Sequence, residues 1–579
     1  MSEPARKPPG AREFTLRAVI VSVVVAALIG AAYPYVVLKL GFGPRMSVVS
    51  AVFGFLALGI LFRDYNRWEN NIVQSAGTAA GATAFLCVLM AAFDLLRADP
   101  ALSFTLQVTP LQSFAWLTTA GLLGVLLAVP MRRHYVVEEK LRFPDGMAAG
   151  ETLIVLDSRG PESRGVTRAM GLGTAVSTLV MTLRADARLI GEAWYRIPEL
   201  WRLGPTGATM NVGVGWSLLS FGSGMIVGLR VNASMLAGAL VSWVVLPPLL
   251  LGRGAIPELT RRDVILWVMW PATGMLVAGG LAALLLRWRI LVTTFKSFSG
   301  SAIQADDFPM KWVVAGSLAC TAALAAVMRL SFGIPVWMTL VAVGLSLPLM
   351  LVGIRVVGET NWGPVSALSN MMQGIFGVLA PGHVMANMTA SGVTGSVAVE
   401  SEGLMQAYKT GDMIGATPRC VTYAQLLAIP VGALAVSYAY PLLRDTYGIG
   451  GENGLQSPIS QKWAGFAKLL SAGLSALPPG ALEALVVGVV LGVLLTVLES
   501  SRHKQWTPSA TGLGIGMLVP ANAVITMFLG ALAATAWGKL ARQSAERYLV
   551  PVASGFIAGE ALVAVVVPIL VALGIVHLR

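Results

Sequence analysis

The chain has 579 residues, of which 56% are hydrophobic and only 12% are charged. An ordinary soluble domain carries about 25% charged residues, so lipid must be the main solvent of this chain and a soluble enzyme is excluded. The 41 basic and 29 acidic residues give a net charge of +12, but the basic residues stand in short loops that set membrane orientation, and no arginine stripe with interleaved aromatics predicts nucleic-acid binding.

Sixteen apolar windows follow one another along the chain, and most are long enough to cross about 30 Å of hydrocarbon. They cover residues 16–37, 46–62, 72–95, 110–130, 166–183, 211–228, 231–252, 264–287, 311–330, 334–354, 364–382, 384–402, 417–440, 480–499, 508–535 and 549–576. The windows predict an all-α polytopic membrane protein with about 14–16 transmembrane helices, some of them broken or re-entrant.

Polar stretches indicate the domain organisation. Residues 1–15 form a basic tail and residues 16–579 a single transmembrane domain, whose first window is retained because no small-residue cleavage site follows it. The longest polar connection covers residues 442–477. Its large apolar side chains recur at helical spacing, at Trp463, Phe466, Leu470 and Leu474. This pattern predicts an interfacial amphipathic helix.

The basic loops indicate the orientation. If the N-terminal tail is cytoplasmic, the arginine-bearing loops after the second and fourth windows also fall inside, as the positive-inside rule requires. The topology of residues 144–210 stays open, because their arginines lie outside if the Pro144 segment is re-entrant and inside if it crosses. So many helices in one chain enclose a pathway, which leaves a transporter, a channel and an intramembrane enzyme as classes.

Clusters of proline and glycine interrupt the membrane pattern, and such places are candidate substrate sites because they free backbone groups. The first cluster covers residues 143–146 and contains Asp145. Glu151 follows shortly after it, and the apolar run then ends at Leu156, so this segment is too short to cross the membrane alone. It predicts a re-entrant or broken helix whose N-terminus can face an anion. The alternative is a cytoplasmic loop in which Asp145 caps a helix.

The second cluster covers residues 358–364, where Glu359 stands beside the amide-rich turn of Asn361 and Trp362. A carboxylate next to unwound backbone can bind a cation, a proton or a substrate amine. The alternative is a plain turn.

The third cluster covers residues 391–415, a glycine-rich stretch that carries Glu400 and Glu402. A buried carboxylate costs several kcal/mol unless it is paired or protonated. Two acids on an apolar segment therefore indicate that they have a function there. Lys409 lies two turns after Glu402, too far for a direct pair within one straight helix. We expect it to end the helix at the cytoplasmic interface or to serve a partner on another helix.

Two further clusters lie near the C-terminus. The spaced glycines Gly512, Gly514 and Gly516 resemble a nucleotide fingerprint only superficially, because no strand precedes them, and they indicate close helix contact or unwinding. Glu560 is the most isolated acid of a spanning segment, which favours a charge or proton role. Residues 77–81, by contrast, predict a small-residue face that packs helices.

Several of these segments occur in one order that is typical of a known family. They are residues 143–148, 223–226, 232–243, 404–419, 475–478 and 553–560. Together they resemble the motifs of the oligopeptide transporter (OPT) superfamily, specifically of its yellow stripe-like branch and of a bacterial-type member. Residues 143–148 match the family's Phe-Pro-Ser-Gly-Thr-Ala signature, with Asp145 in place of the serine. The resemblance runs from about residue 140 to the end of the chain.

The resemblance implies a secondary transporter that couples the uptake of peptides or metal chelates to protons. Departures from the family pattern bear on the cargo. Gly403 and Ala407 stand where the branch carries acids, Asn361 replaces its aspartate, Glu560 replaces Asp, and the Asn-Pro-Gly motif of the peptide-carrying branch is absent. Displaced carboxylates are available at Glu359, Glu400 and Glu402.

The sequence thus predicts a proton-coupled symporter of small oligopeptides or metal chelates in the plasma (inner) membrane, with no catalytic residue, no protein-bound metal and no cofactor. Proton or cation coupling is assigned to Glu151, Glu359, Glu400, Glu402 and Glu560. Substrate binding is assigned to Asp145, Gly146, Asn361, Trp362, Gln406, Tyr408, Lys409 and Gly514.

The expected partners are the substrate, protons and the lipid bilayer, without nucleic acid, and a homo-oligomer is one alternative for the assembly. No P-loop is present, so the energy must come from a gradient or from a further partner. Two alternatives stay open. An intramembrane enzyme acting on a lipid-linked substrate would need a His pair or a Gly-x-Ser-x-Gly elbow, and the chain has neither. The second alternative is a channel. The many irregular breaks and the lack of a repeated filter sequence disfavour it.

Overall fold

The computed structural model describes most of the chain, and nearly all of the described part is helical. The described residues are 7–8, 10–40, 45–62, 65–99, 106–157, 164–183, 200–202, 209–210, 212–286, 306–450, 455, 457–471, 477–500 and 507–572. Leu474 and the residues 475–476 of one family motif lie outside them.

The chain forms two compact units, each built from three stretches. Unit 1 comprises Met1–Glu139, Thr293–Ile354 and Val365–Leu477, and unit 2 comprises Lys140–Val292, Arg355–Pro364 and Pro478–Arg579. One helix, Val336–Thr360, supplies residues to both units. The single transmembrane domain expected over residues 16–579 stays a prediction.

The helices follow in chain order. Unit 1 begins with α1 (Leu16–Leu40), α2 (Ser47–Leu61), α3 (Arg67–Phe85), α4 (Cys87–Arg97), α5 (Pro110–Ala128) and a π-helix (Arg133–Glu138). Unit 2 follows with α6 (Pro144–Asp157), α7 (Arg164–Leu183), strands β1 (Leu200–Arg202) and β2 (Gly213–Gly215), α8 (Leu218–Val227), α9 (Leu229–Leu240), a π-helix (Val241–Val245), α10 (Leu246–Gly252) and α11 (Arg261–Leu286).

The second half of the chain returns to unit 1 and then to unit 2. The helices are α12 (Met310–Phe332), α13 (Val336–Thr360), α14 (Val365–Leu379), α15 (Val384–Ile414), α16 (Pro418–Tyr447) and α17 (Pro458–Ser471), then α18 (Ala481–Ser500), α19 (Ala510–Leu518), α20 (Ala521–Leu540) and α21 (Arg542–Ala572). The two strands pair antiparallel, with Trp201 opposite Val214.

Among the described residues, 12 helices are long and apolar enough to cross a membrane. Each coincides with a predicted window. The other windows correspond to three shorter apolar helices, Ser47–Gly59, Leu218–Val227 and Val365–Leu379, and to the long polar helix α15. The prediction of an all-α polytopic membrane protein is therefore confirmed.

A predicted interruption separates α19 from α20. Helix α19 ends at Leu518, and α20 begins at Ala521 after Pro520, which has no N–H to extend the hydrogen bonds of α19. The indole Nε1 of Trp243 donates a hydrogen bond of 3.0 Å to the carbonyl of Val519. The acceptor that the break would leave open is thus satisfied within unit 2.

The interruption expected over residues 391–415 is absent, because α15 is one unbroken helix through Ile414 that is capped by Gly415 with a φ of 70°. Its glycines allow close contact. A Cβ on Gly392 would collide with Trp116, and one on Gly395 would lie 3.0 Å from the Trp463 ring. Small residues here let neighbouring helices approach and do not unwind the backbone.

The glycines of the last family motif have the same role in unit 2. A Cβ on Gly555 would collide with the carbonyl of Met170, and one on Gly559 with the carbonyl of Thr174. Helix α21 therefore packs closely along α7 and continues unbroken through this motif.

The predicted amphipathic helix is present as α17, but its apolar face contacts protein. Trp463, Phe466 and Leu470 are buried, and α17 packs against α4 and α14. The polar connection is also shorter than expected, because α16 extends through Tyr447.

Candidate functional site

In unit 1, helix α15 carries two fully buried carboxylates. Glu400 and Glu402 are both 0% exposed. Their side chains leave the helix axis about 200° apart, so they meet different neighbours. Burying a carboxylate is costly unless partners or a proton compensate it, and these neighbours therefore decide what each acid can do.

Glu400 lies between α3 and α5. The hydroxyl of Thr83 donates to its Oε1 at 2.5 Å. Two glycines of α5 make room for it: a Cβ on Gly121 would lie 3.5 Å from this oxygen, and one on Gly124 would lie 3.2 Å from the Glu400 Cβ. Its Oε2 has no hydrogen-bond partner among the described residues. One hydroxyl does not compensate a full charge, so this carboxyl is suited to hold a proton or a cation.

Glu402 has a cationic partner. The Arg45 Nη2 lies 2.6 Å from its Oε2. Its Oε1 accepts no hydrogen bond within the described part of the chain, and it faces α13 at Gly353, where an added Cβ would lie 3.1 Å away. The ion pair compensates the buried charge, and the second oxygen can still accept a hydrogen bond.

Three predicted substrate-binding residues follow on the same helix. Gln406 and Lys409 lie one and two turns after Glu402 on one face, and both are buried. The expectation that Lys409 ends the helix at the interface is wrong, because α15 continues past it and its side chain is 4% exposed. Tyr408 points elsewhere, with its hydroxyl 2.6 Å from the Thr422 Oγ1.

Sequence analysis missed a polar helix beside these acids. Helix α3 packs against α15, and besides Glu69 and Thr83 it buries the polar side chains of Asn70, Asn71, Gln74, Ser75 and Thr78. Neither polar atom of the Asn71 side chain has a hydrogen-bond partner in the part of the chain that the structure describes. The sequence did indicate a functional role for these residues, because neighbouring amide side chains at the edge of an apolar window are energetically unfavourable in lipid.

A third buried acid, Glu69, was also missed and has a different environment. Arg17 contacts its Oε2 at 2.5 Å, the hydroxyl of Thr15 donates to Oε1 at 2.6 Å, and the Asn66 amide donates to Oε2 at 3.0 Å. Both oxygens are satisfied, so Glu69 joins α1 to α3 and has no open position for a ligand.

In unit 2, three distant sequence motifs meet in one hydrogen-bonded cluster. The Asn361 Nδ2 donates to Asp145 Oδ1 and to Ser223 Oγ, both at 3.1 Å. The backbone N–H of Asp145 donates to Asn361 Oδ1 at 3.2 Å. The structure therefore brings together two of the predicted substrate-binding residues, with Ser223 as a third partner that was not predicted.

The backbone of this cluster is unusual at two positions. Asn361 has a φ of 66° and Phe143 a φ of 46°, in the left-handed region that side chains rarely adopt. The Phe143 N–H donates to the carbonyl of Gly358 at 3.0 Å, which holds the start of α6 against the end of α13. The indole of Trp362 lies 3.2 Å from the Met527 Sδ. Residues 361–364, which connect α13 to α14, thus have specific side-chain and backbone partners.

Two charged groups stand near this cluster in the sequence. Helix α6 has 14 residues, which is too short to cross the membrane alone, as predicted. Within it, burial raises the pKa of Glu151 to about 6. Burial also lowers the pKa of Arg142, whose guanidinium donates to the carbonyl of Ile226. Glu151 therefore changes charge close to neutral pH.

The two other predicted coupling acids have fixed partners. Glu359 lies 2.9 Å from the Arg355 guanidinium, one turn earlier on α13. Glu560 accepts hydrogen bonds from the Ser217 hydroxyl at 3.0 Å and from the Leu219 N–H at 2.9 Å. Its description as an isolated acid is wrong, because it caps the N-terminus of α8, where a negative charge is favourable.

The predicted glycines lie in different surroundings. A Cβ on Gly514 would lie 2.8 Å from the Leu276 Cγ, and one on Gly516 would collide with the Met235 carbonyl, so α19 packs tightly between α9 and α11. The close helix contact predicted here is confirmed. Gly146 is buried in the first turn of α6. The assignment of both glycines to substrate binding stays a prediction.

Comparison with known proteins agrees with the motifs. A family model described as OPT oligopeptide transporter protein matches residues 13–571. The chain belongs to the OPT family. A putative oligopeptide transporter of Saccharomyces cerevisiae is 24% identical over 98% of this chain and 97% of its own length. A metal-nicotianamine transporter of Arabidopsis thaliana is 24% identical over 96% and 93%. A putative oligopeptide transporter of Haemophilus influenzae is 24% identical over 93% and 92%.

Family membership confirms the predicted resemblance. The OPT protein is a multi-pass membrane transporter and not an enzyme. The alternative of an intramembrane enzyme is therefore wrong.

Proposed function

We propose that this OPT protein is a secondary active transporter that couples the movement of a small oligopeptide or metal chelate to protons. The observation that carries the proposal is the pair of fully buried acids on α15, each with one carboxylate oxygen that lacks a hydrogen-bond partner among the described residues. A carboxyl in such a place gains stability by taking up a proton or cation, and it can release that ion when its surroundings change.

The different neighbours of the two acids support a division of labour. Glu400 is fully buried and has no cation beside it, only one hydrogen bond from the Thr83 hydroxyl, so its burial favours a protonated carboxyl; the Arg45 guanidinium beside Glu402 favours a charged one. We assign proton coupling first to these two residues. Glu151 is the next candidate, because its burial makes it titratable near neutral pH. Glu359 and Glu560, which have fixed partners, come last.

The substrate class follows from the relatives and from the chemistry of the candidate residues. The relatives are named as oligopeptide and metal-nicotianamine transporters. Peptides and amino-acid-derived chelates both carry amines, amides and carboxylates. We propose that Asp145, Asn361 and Trp362 in unit 2, with Gly146, and Gln406, Tyr408 and Lys409 in unit 1 contact such groups. Gly514 is a weaker candidate because Leu276 occupies the space beside it.

We further propose that the protein lies in the plasma membrane with its N-terminus in the cytoplasm. The basic tail and the arginine-rich loops that follow the second and fourth windows support this orientation.

Transport by the purified full-length protein in proteoliposomes tests the function. Dipeptides to hexapeptides, and iron or copper chelates, are first screened for binding to the purified protein. Uptake of each ligand is then measured with an inward proton gradient and after the gradient has been collapsed by an ionophore. We expect saturable uptake that drops to the level of passive equilibration without the gradient.

Two outcomes would contradict the proposal. Uptake that is saturable but unaffected by the gradient would remove proton coupling and leave a facilitated carrier. Flux that rises linearly with substrate concentration would favour the remaining alternative, a channel.

A further inference from the structure

Unit 2 carries an apolar groove between helices α7, α20 and α21. Its volume is about 490 Å³, within the range of small-ligand sites. Leu172 and Val176 of α7 and Val552 and Phe556 of α21 form its walls. Leu172 is 67% exposed and Val176 is 47% exposed, so the groove is open to the surroundings of the protein. In a chain that spans a membrane, those surroundings are lipid.

One end of the groove differs from the rest. Arg168, Trp537 and Tyr548 line it there. Helices α7 and α21 run parallel, because Gly165 faces Tyr548 near the start of both helices and Gly559 faces Thr174 further along. The first turns of both helices therefore lie at the same end, where tryptophan and tyrosine are typical of the headgroup level of a bilayer.

Positive charge is concentrated at this end. Besides Arg168, four exposed cations belong to the same turns of the three helices, Arg164, Lys539, Arg542 and Arg547. Glu546 is the acid in these turns, and it pairs with Arg542 at 2.9 Å. The N-termini of α7 and α21 add their positive partial charges. The groove thus joins an apolar wall to a cationic rim.

We propose that this groove is a binding site for an anionic phospholipid. The phosphate contacts Arg164 and Arg168, and one acyl chain lies between Leu172 and Phe556 along the wall. Basic pockets between transmembrane helices bind anionic lipid headgroups in this way. The cationic rim places this end of the groove on the cytoplasmic side of the membrane. The proposal does not depend on the transported substrate or on the coupling ion.

The dimensions agree with a lipid in one leaflet. Arg168 and Val176 are eight residues apart, which on an α-helix is about 12 Å. One leaflet contributes about half of a hydrocarbon core of about 30 Å. An acyl chain with its phosphate at Arg168 would therefore follow the wall through most of its leaflet.

Native mass spectrometry of the purified full-length protein tests the site. Phosphatidylglycerol and phosphatidylcholine with identical acyl chains are titrated separately, and bound lipids are counted. We expect preferential binding of phosphatidylglycerol. Arg168→Gln should weaken that binding about fivefold, the effect of about 1 kcal/mol for one basic residue at an anionic lipid. Binding of phosphatidylcholine should not change.

Matched variants separate charge from packing. Arg168→Lys keeps the charge and should retain most of the preference, and Arg329→Gln removes an exposed arginine from α12 in unit 1 and should have no effect. Val176→Trp fills the groove and should weaken both lipids. Soluble glycerol phosphate should not displace phosphatidylglycerol.

Three results would overturn the proposal. They are unchanged phosphatidylglycerol binding in Arg168→Gln, an equal loss in Arg329→Gln, and displacement of the lipid by glycerol phosphate, which would mean that the apolar wall contributes nothing.

Discussion

Glu400 in unit 1 and Asp145 in unit 2 are both buried acids on helices that break the apolar pattern of the chain, yet their surroundings differ. Asp145 belongs to a closed cluster, in which Asn361 bonds its carboxylate and accepts from its backbone N–H. Glu400 has one hydroxyl partner, and its second oxygen has no hydrogen-bond partner within the described residues. A closed cluster fixes local geometry, whereas an incompletely satisfied acid can respond to a proton.

Glu69 extends the comparison within unit 1. It is as buried as Glu400 but is held by Arg17, Thr15 and Asn66. Burial alone therefore does not mark a coupling residue. The number of hydrogen bonds that the acid still lacks is the more informative property.

The largest effect should come from the open acids, Glu400 and Glu402, each of which has a carboxylate oxygen without a hydrogen-bond partner among the described residues. Glu400→Gln and Glu402→Gln each remove a site that can bind and release a proton, so uptake in proteoliposomes should fall to the rate measured without a pH gradient. The matched control is Glu546→Gln, which removes an exposed acid that pairs with Arg542 on the surface, and it should transport like the unmodified protein. Full gradient dependence in both α15 variants would reverse the comparison between open and closed acids.

The space around Glu400 can be tested by packing. A Cβ on Gly124 would lie 2.9 Å from the Val397 Cα and 3.2 Å from the Glu400 Cβ. Gly124→Ala should therefore cost about 1–3 kcal/mol, the usual effect of overpacking. Gly344 of α13 has open space around it, so Gly344→Ala should instead stabilise by up to about 1 kcal/mol. Thermal unfolding in detergent measures both, and equal shifts would mean that α5 is not tightly packed on α15.

The closed cluster of unit 2 should respond mainly in stability. Asn361→Ala loses two donated hydrogen bonds and places alanine at a φ of 66°, which should cost about 2–3 kcal/mol. Asn361→Gly loses the same hydrogen bonds but tolerates the backbone, so it should be the less destabilised variant. If the two variants unfold at the same temperature, the left-handed backbone is not held by the folded structure.

Glu151 should show its titration in the pH dependence of stability. Its pKa is raised to about 6 by burial, so the folded protein loses stability as the pH rises from the ordinary carboxyl pKa to about 6, by roughly 2 kcal/mol at most. Glu151→Gln cannot ionise and should not show this loss. Melting temperatures of both proteins between pH 4 and 8 measure the difference, and parallel curves would place Glu151 in contact with water.

The smallest effect is expected at Glu560. Glu560→Gln weakens the cap of α8 and should cost about 1 kcal/mol. Because both oxygens already have partners, gradient-dependent uptake should persist. Its loss would move Glu560 into the set of coupling residues and would weaken the distinction between open and closed acids.

The sequence predicted the architecture well because membrane burial leaves a strong signal. Apolar windows located the helices, and motifs in a fixed order identified the family. Glycine-rich segments were harder, since the glycines at 512–516 precede an interruption at Val519 and Pro520, whereas those at 391–415 lie in one unbroken helix. Their composition does not distinguish the two, because the neighbour that excludes a Cβ belongs to another part of the chain.

The candidate sites were predicted only in part. The acids stood out against an apolar background, but their partners did not. Asp145 and Asn361 are 216 residues apart in the chain, and Thr83 and Glu400 are 317 apart, so no periodicity connects them. The sequence shows that Asn71 and its polar neighbours on α3 would be unfavourable in lipid. Only the packing of α3 against α15 shows that they lie beside the helix that carries the buried acids.

The hydrogen bond from Trp243 to Val519 has a consequence for how the transporter can move. If water alone satisfied the carbonyl that the interruption leaves without a helical donor, the local backbone would change whenever that water was lost. Here the indole of Trp243, which belongs to the same unit, supplies the donor. We therefore expect the interruption between α19 and α20 to keep its local geometry when the hydration of the protein changes during transport.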